Sequence, residues 1–179
     1  AIDVGADCAW STQRSDPTPV TGATALATSA LVAGGYDGDL VERAARWLLA
    51  AQNRDGGWLE VPTSGNLPSA ASNTFNVVRA LRDADGHLGG SADVAAALEQ
   101  AREWWLREFA PSWQRRPLAE QVFGLRLAPL LSLQEHDESR RLAARLVEHA
   151  CRKWSAACDL YIDVELLAST SSAASVMLR

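Results

Sequence analysis

Three carboxylates near the end of the chain are the side chains best suited to chemistry. Asp159, Asp163 and Glu165 cluster just before a last apolar stretch. Carboxylates that share a site keep one of them protonated, because two like charges at close range disfavour double ionisation. Such a cluster can donate a proton, or it can hold a metal-bound diphosphate. Acids also cap helix N-termini, so the same cluster fits a purely structural role, and the sequence leaves both interpretations open.

Other chemical motifs are weak or missing. Asp83 and Asp85 stand beside Gly86, which is typical of a solvated turn at a helix end. There is no Gly-x-Ser-x-Gly elbow for a serine nucleophile and no Gly-rich phosphate loop after a strand. Three cysteines match no disulfide framework, which is typical of a reducing, cytoplasmic setting. We therefore expect no cofactor and no metal.

Charge and hydropathy argue against nucleic-acid binding and against a membrane-spanning helix. The net charge is −5, and acids interleave with the arginines of the two basic clusters, 115–116 and 140–145. This pattern is typical of solvated helix faces and not of a nucleic-acid binder. No apolar run approaches the roughly 20 residues of a transmembrane helix, so we expect no membrane span. The chain begins without Met, and we expect a single domain over 1–179, excised from a longer protein.

Apolar residues recur at three- and four-residue steps, which predicts helices nearly throughout. The predicted helices alternate between mostly apolar and amphipathic types, and alternation typical of strands is missing. The apolar helices are predicted at 21–33, 72–82, 117–133 and 163–178, and the amphipathic ones at 39–52, 91–109 and 137–154. An apolar helix needs cover on all sides, whereas an amphipathic one can lie outside it. The sequence predicts an all-α fold of two helical layers.

Local signals predict where several helices begin and end. Asp39 and Ser91 are the expected N-caps of two amphipathic helices. Ser72 or Asn73 is the expected cap of the second apolar helix, and 85–90 should end it because this segment is rich in Gly. Pro117 suits a first helical turn, and Pro129 should kink or end the helix that contains it.

The amphipathic helices carry an internal repeat. Glu42–Leu49 aligns with Glu99–Leu106, and Trp47 and Trp104 occupy the same place in the alignment. Arg141–Val147 is a weaker third copy. Repeats of this kind predict a structural unit that is used several times.

The segment after the first of these helices carries the most specific motif. Gln52 closes the helix, and Asp55-Gly56-Gly57-Trp58 follows. This pattern resembles the QW repeat of squalene–hopene cyclases and related class II terpene cyclases, which share the α/α-toroid with protein prenyltransferases. The resemblance covers Leu40–Leu81 well and the rest of the chain weakly.

The resemblance implies structural roles for this motif. In the family, the Gln bonds to backbone at the start of a neighbouring helix and the Trp packs beneath it, so Gln52 would be the clamp and Trp58 the packing residue. Trp10 would stand for Trp58 in a degenerate preceding repeat, and Trp113 would play the same part in a later one. The fold implied is an α/α-toroid-like arc of about three to four helix pairs.

The catalytic residues that the resemblance implies are missing from their positions. Class II cyclases use an Asp-x-Asp-Asp motif, often followed by Thr. If Thr74 is that Thr, the acids would fall on Ala70, Ser72 and Asn73. Prenyltransferases bind zinc through Asp, Cys and His, and no such set is found here.

These observations favour a module without catalytic activity in this chain. Its concave face would bind a protein partner or an isoprenoid-like apolar ligand, and its apolar helices make a homodimer a reasonable expectation. The alternative is part of an isoprenoid cyclase or prenyltransferase whose catalytic acids lie outside this chain.

Overall fold

The expected all-α fold is confirmed. The computed structural model describes residues 1–13, 15–62 and 67–156, and it is mostly helical with one two-stranded sheet. The strands are β1 (Ile2–Val4) and β2 (Asp7–Ala9), and the helices are α1 (Thr21–Ala33), α2 (Leu40–Ala50), α3 (Ala71–Leu88), α4 (Ala92–Trp104), a π-helix (Trp105–Phe109), α5 (Ala110–Ser112), a 3-10 helix (Trp113–Arg115), α6 (Leu118–Leu130) and α7 (Asp137–Ala156). None of the helices in these ranges is both long and apolar enough to cross a membrane.

The contact pattern divides the chain into two compact units. The first comprises Ala1–Trp104, and the second begins at Trp105. In the first unit α1 packs along α3, and α2 packs against both of them and also contacts α4. The core between these helices includes fully buried Leu48, Trp58 and Leu81. The first unit thus consists of two helix pairs, α1–α2 and α3–α4.

The N-terminal β-hairpin contradicts the expectation of a chain without strands. Ile2 pairs with Ala9 in an antiparallel register, and Gly5 supplies the turn with a φ of 63°. Each strand has three residues, too few to show an alternating pattern in the sequence. Ion pairs to α2 hold the hairpin in place, from Arg43 to Asp3 at 2.5 Å and from Arg46 to Asp7 at 3.0 Å.

Helix α1 has the predicted bounds, but the prediction that it is buried on most sides is wrong. Thr21, Thr24, Ala25 and Thr28 are buried, while the Leu26 side chain is 59% exposed. Ala30 and Ala33 are also exposed. The helix contains no charged residue, so its composition does not show which face meets solvent. That depends on the neighbouring helices, which cover one side.

Helix α3 is longer than predicted at both ends. It runs through the Gly-containing segment 85–87 and ends at Gly89, whose φ is 80°. A glycine inside a helix costs only about 1 kcal/mol, and the buried side chains of Leu81 and Ala84 hold this turn against the core. The N-cap is Ala70, one residue before the helix and earlier than the expected Ser72 or Asn73.

The other expected caps are only partly realised. Asp39 stands at the N-cap of α2 but makes no side-chain capping bond. Before α4, the Oγ of Ser91 accepts from the backbone N–H of Val94 at 3.5 Å, a long hydrogen bond. Pro117 is the N-cap of α6 and not a first-turn residue, and α6 ends directly after Pro129.

The second unit contains a π-helix where the sequence predicts a continuous α-helix over 91–109. The indole N–H of Trp105 donates to the carbonyl of Gly124 at 2.7 Å, which joins the π-helix to α6. Gly124 lies against the ring of Phe109, where a methyl group would overlap it. Helix α6 also packs on α7. The predicted last helix, 163–178, lies outside the described residues.

Candidate functional site

Gln52 joins the end of α2 to α4. Its Nε2 donates to the carbonyl of Gly56 at 2.8 Å and to that of Ala97 at 2.9 Å. The family pattern implies a bond to the start of a neighbouring helix, whereas Ala97 lies in the interior of α4. One side chain thus fixes both the turn that follows α2 and the spacing between two amphipathic helices.

Asp55 organises the turn from within. Its Oδ1 accepts from the backbone N–H of Gly57 at 3.0 Å and from the Oγ of Ser69 at 2.6 Å. Its Oδ2 accepts from the backbone N–H of Ser69 at 2.9 Å. These three bonds occupy the carboxylate and give Asp55 a structural role.

Position 56 requires glycine because of its backbone conformation and because α4 leaves no room for a side chain. Its φ is 97°, and a Cβ at this position would lie 2.4 Å from the carbonyl oxygen of Gln100 and 3.3 Å from the Cβ of Trp104. Only glycine adopts such a φ readily and lets the backbone of the turn approach α4 this closely.

Trp58 ends the turn in the core. It is fully buried, and its indole N–H donates to the carbonyl of Leu48 at 2.7 Å. Its backbone N–H donates to the Oγ1 of Thr74 at 3.0 Å, and that hydroxyl donates to the carbonyl of Ala70 at 2.8 Å. The backbone N–H of Ala70 donates back to the carbonyl of Trp58 at 3.0 Å. The start of α3 is therefore tied to this tryptophan.

The turn at Trp10 has the same hydrogen-bond pattern. The backbone N–H of Trp10 donates to the Oγ1 of Thr24 at 2.9 Å, and that hydroxyl donates to the carbonyl of Val20 at 2.9 Å. The backbone N–H of Val20 donates to the carbonyl of Trp10 at 2.9 Å. Val20 is the N-cap of α1, as Ala70 is of α3. The two turns are structurally equivalent, and Val4 of β1 stands where the second turn has Gln52.

Trp113 does not repeat this arrangement. It lies in the 3-10 helix, and its backbone carbonyl accepts from Arg116 at 3.1 Å. Its buried indole nitrogen has no hydrogen-bond partner among the described residues. The residue four positions after the N-cap of α6 is Gln121, where α1 has Thr24 and α3 has Thr74.

The candidate acids fall into two groups. Asp159, Asp163 and Glu165 lie outside the described residues. Asp83 and Asp85 lie within α3 and not in a solvated turn. The Oδ2 of Asp83 accepts from the Oγ of Ser29 on α1 at 2.7 Å, and the Oδ1 of Asp85 accepts from the backbone N–H of Ser91 at 2.6 Å.

The described part of the chain holds no group of three His, Cys, Asp or Glu side chains that could bind a metal ion. Cys8 is buried against α2, its Sγ lies 3.5 Å from the carbonyl of Leu40, and burial raises the pKa of its thiol. The Nδ1 of His136 accepts from the backbone N–H of Glu138 at 3.3 Å at the start of α7.

A shallow groove lies between α1 and α3. Its volume is about 210 Å³, and its lining residues are Ala25, Leu26, Ser29, Ala30, Ala33, Asn76 and Arg79. The α1 side is mainly apolar, and the α3 side is polar. The groove includes the exposed residues of α1, so it is a candidate binding surface. The sequence identifies 21–33 as an apolar helix, but its composition does not show that one face of this helix is exposed.

Comparison with protein-family models, curated proteins and solved structures finds no significant match to this chain.

Proposed function

We propose that this chain is a helical repeat module of the α/α-toroid type that binds a protein partner through the apolar surface of α1. The observation that carries the proposal is the exposure of Leu26, 59% for a large apolar side chain in an uncharged helix. Exposed apolar surface beside a groove is typical of protein interaction sites.

The equivalence of the two turns supports the repeat assignment. Trp10 with Thr24 and Trp58 with Thr74 each tie a turn to the start of a helix through the same hydrogen bonds. In each case that helix is followed by an amphipathic partner, α2 or α4. Two helix pairs built alike favour a resemblance to cyclase and prenyltransferase repeats over a single chance turn.

The size of the groove favours a protein over a small ligand. Small-molecule pockets commonly measure roughly 300–1,000 Å³ and enclose most of the ligand. The α1–α3 groove measures about 210 Å³, and one of its walls includes the exposed residues of α1, namely Leu26, Ala30 and Ala33. An apolar helix or an extended segment can lie in such a groove and bury Leu26, as in helix-in-groove recognition.

The positions that correspond to the catalytic motif favour a module without cyclase activity. Ala70, Ser72 and Asn73 carry no carboxylate, and the hydroxyl of Thr74 is engaged by Trp58 and Ala70. The enzyme alternative therefore depends on acids elsewhere, with Asp159 and Asp163 among the candidates. A cytoplasmic location stays part of the proposal and rests on the three cysteines of the sequence.

Site-specific photo-crosslinking tests this function with a matched control. A photoreactive amino acid replaces Leu26 in one variant and Leu67 in another, and both are expressed in the cells from which the chain comes. The two leucines have nearly the same exposure, 59% and 60%. We expect a defined protein adduct from position 26 and none from position 67, with the crosslinked peptides identified by mass spectrometry. Equal adducts at both positions, or none at position 26, would contradict the proposal.

A further inference from the structure

The fully buried side chains of the N-terminal β-hairpin are small. They belong to Cys8 and Ala9, whereas Ile2 is half-buried and Asp3 and Val4 are exposed. Burial stabilises in proportion to the apolar area removed from water, so two small side chains hold the hairpin on α2 only weakly. A two-stranded hairpin is also at best marginally stable by itself in water. Whether this one stays folded therefore depends on its polar contacts with α2.

Two arginines of α2 make those polar contacts. Arg43 donates to the backbone carbonyl of Ala6 at 3.1 Å, to that of Asp7 at 3.2 Å and to the carboxylate of Asp3 at 2.5 Å. Arg46 donates to the carboxylate of Asp7 at 3.0 Å. Hydrogen bonds from a charged guanidinium group are stronger than those between neutral groups. We call these two arginines and their hairpin partners the latch.

The other end of the hairpin is fixed independently of the latch. Trp10 directly follows β2, and its backbone N–H donates to the Oγ1 of Thr24 on α1 at 2.9 Å. Its backbone carbonyl accepts from the N–H of Val20, the N-cap of α1, at 2.9 Å. The contacts of the latch can be lost while these two bonds remain. Trp10 is therefore placed to serve as the hinge of a flap.

Comparison of the two equivalent turns shows why the first one needs a latch. The repeat alignment of α2 with α4 places Leu40 on Ala97. The carbonyl of Ala97 accepts from the amide of Gln52 at 2.9 Å, whereas the carbonyl of Leu40 lies 3.5 Å from the Sγ of Cys8. A thiol is a weak donor, so this contact holds the first turn less firmly than the amide holds the second. The arginines of α2 supply the missing hold.

We propose that the N-terminal hairpin is a latched flap, which Arg43 and Arg46 hold against α2 and which opens as a unit while the helices of the first unit stay folded. Local opening of this kind occurs in elements with few buried apolar contacts. Salt weakens the latch, because its charged side chains are partly exposed and salt screens their attraction. The flap concerns a different surface from α1 and does not depend on the proposed function.

Opening of the flap controls access to the thiol of Cys8. In the closed state this side chain is fully buried, and burial raises the pKa of its thiol. The thiolate is the reactive form of cysteine, so the closed flap protects Cys8 from thiol reagents. The rate at which Cys8 is labelled therefore reports how often the flap opens.

Labelling by N-ethylmaleimide, an uncharged thiol reagent, tests the latch, and mass spectrometry of the Cys8 peptide follows this cysteine alone. The proteins compared are the unchanged chain, Arg43→Met and the matched control Arg102→Met, whose ion pair with Glu99 lies within α4. We expect Arg43→Met to be labelled roughly tenfold faster or more, because the hairpin loses three charge-assisted hydrogen bonds. The control should be labelled at the rate of the unchanged chain.

A milder variant and a change of salt provide two further readouts. Asp3→Asn alters an exposed side chain and removes one ion pair, so we expect labelling of Cys8 to accelerate by roughly twofold to fivefold. A high concentration of sodium chloride should accelerate labelling of the unchanged chain more than that of Arg43→Met, in which most of the latch is already lost.

Hydrogen exchange of the α3 amides, measured on the same proteins, separates flap opening from unfolding. Faster labelling of Cys8 with unchanged exchange in α3 supports the latched flap. Exchange in α3 that accelerates in parallel with the labelling would overturn it, because the hairpin and the helices would then open together. Equal labelling rates in the unchanged chain, Arg43→Met and Asp3→Asn would also overturn it, since the arginines would not hold the hairpin.

Discussion

At the scale of single residues, Gly56 and Gly89 form a natural comparison. Both have a positive φ, 97° and 80°, but a Cβ would meet the backbone of α4 at Gly56 and nothing within 4 Å at Gly89. We expect Gly89→Ala to lower the free energy of unfolding by about 1–2 kcal/mol, the cost of the left-handed conformation. In Gly56→Ala the new methyl group also overlaps the backbone of Gln100, which we expect to lower the free energy of unfolding by on the order of 1–3 kcal/mol more. Urea unfolding of both variants measures the difference, and equal losses would contradict the packing described for the turn.

The sequence identifies the residues of this turn better than their partners. Gln52, Gly56 and Trp58 stand out because a local spacing suffices to recognise them. The acceptor of the Gln52 amide, Ala97, cannot be predicted, since one alanine in a helix looks like any other. The part played by Ser69 is equally hidden, because it depends on the chain folding back onto Asp55.

At the scale of the helices, three threonines test the equivalence of the two turns. Thr24 and Thr74 each accept from a tryptophan backbone N–H, whereas the hydroxyl of Thr28 donates only to the carbonyl of Thr24 in its own helix. We expect Thr24→Val and Thr74→Val each to cost about 1–3 kcal/mol of unfolding free energy, because a tryptophan N–H loses its partner.

Thr28→Val is the matched control for both variants. Thr28 is as buried as the other two, but its replacement leaves no donor without a partner, so we expect a loss below about 1 kcal/mol. Thermal or urea unfolding of the three proteins provides the measurement. A cost for Thr28→Val as large as for the other two would show that burial, and not the tie to the tryptophan, determines the effect.

Helix type and bounds were predictable to different degrees. The bounds of α1 follow from an apolar stretch that ends at Gly34-Gly35. The passage of α3 through Gly86 does not follow from the sequence, because burial of Leu81 and Ala84 outweighs a local preference. The hairpin depends on Arg43 and its partners, which are distant in sequence.

At the scale of the whole molecule, the all-α class is predictable from periodicity, while the exposure of α1 is not. An uncharged helix is consistent with burial on every side, and the burial of Thr24 and Thr28 in place of Leu26 depends on where α2 and α3 lie. For the same reason, the sequence alone does not distinguish a binding module from an enzyme with an enclosed apolar cavity.

Native mass spectrometry tests the central claim, a protein-binding and non-catalytic module, most directly. The chain is measured alone and with farnesyl diphosphate, geranylgeranyl diphosphate and squalene. We expect none of the three compounds to change the mass of the protein, because the α1–α3 groove of about 210 Å³ does not enclose such a molecule. Retention of an isoprenoid at a fixed stoichiometry, followed by its conversion, would contradict the account and return Asp159, Asp163 and Glu165 to the position of catalytic candidates.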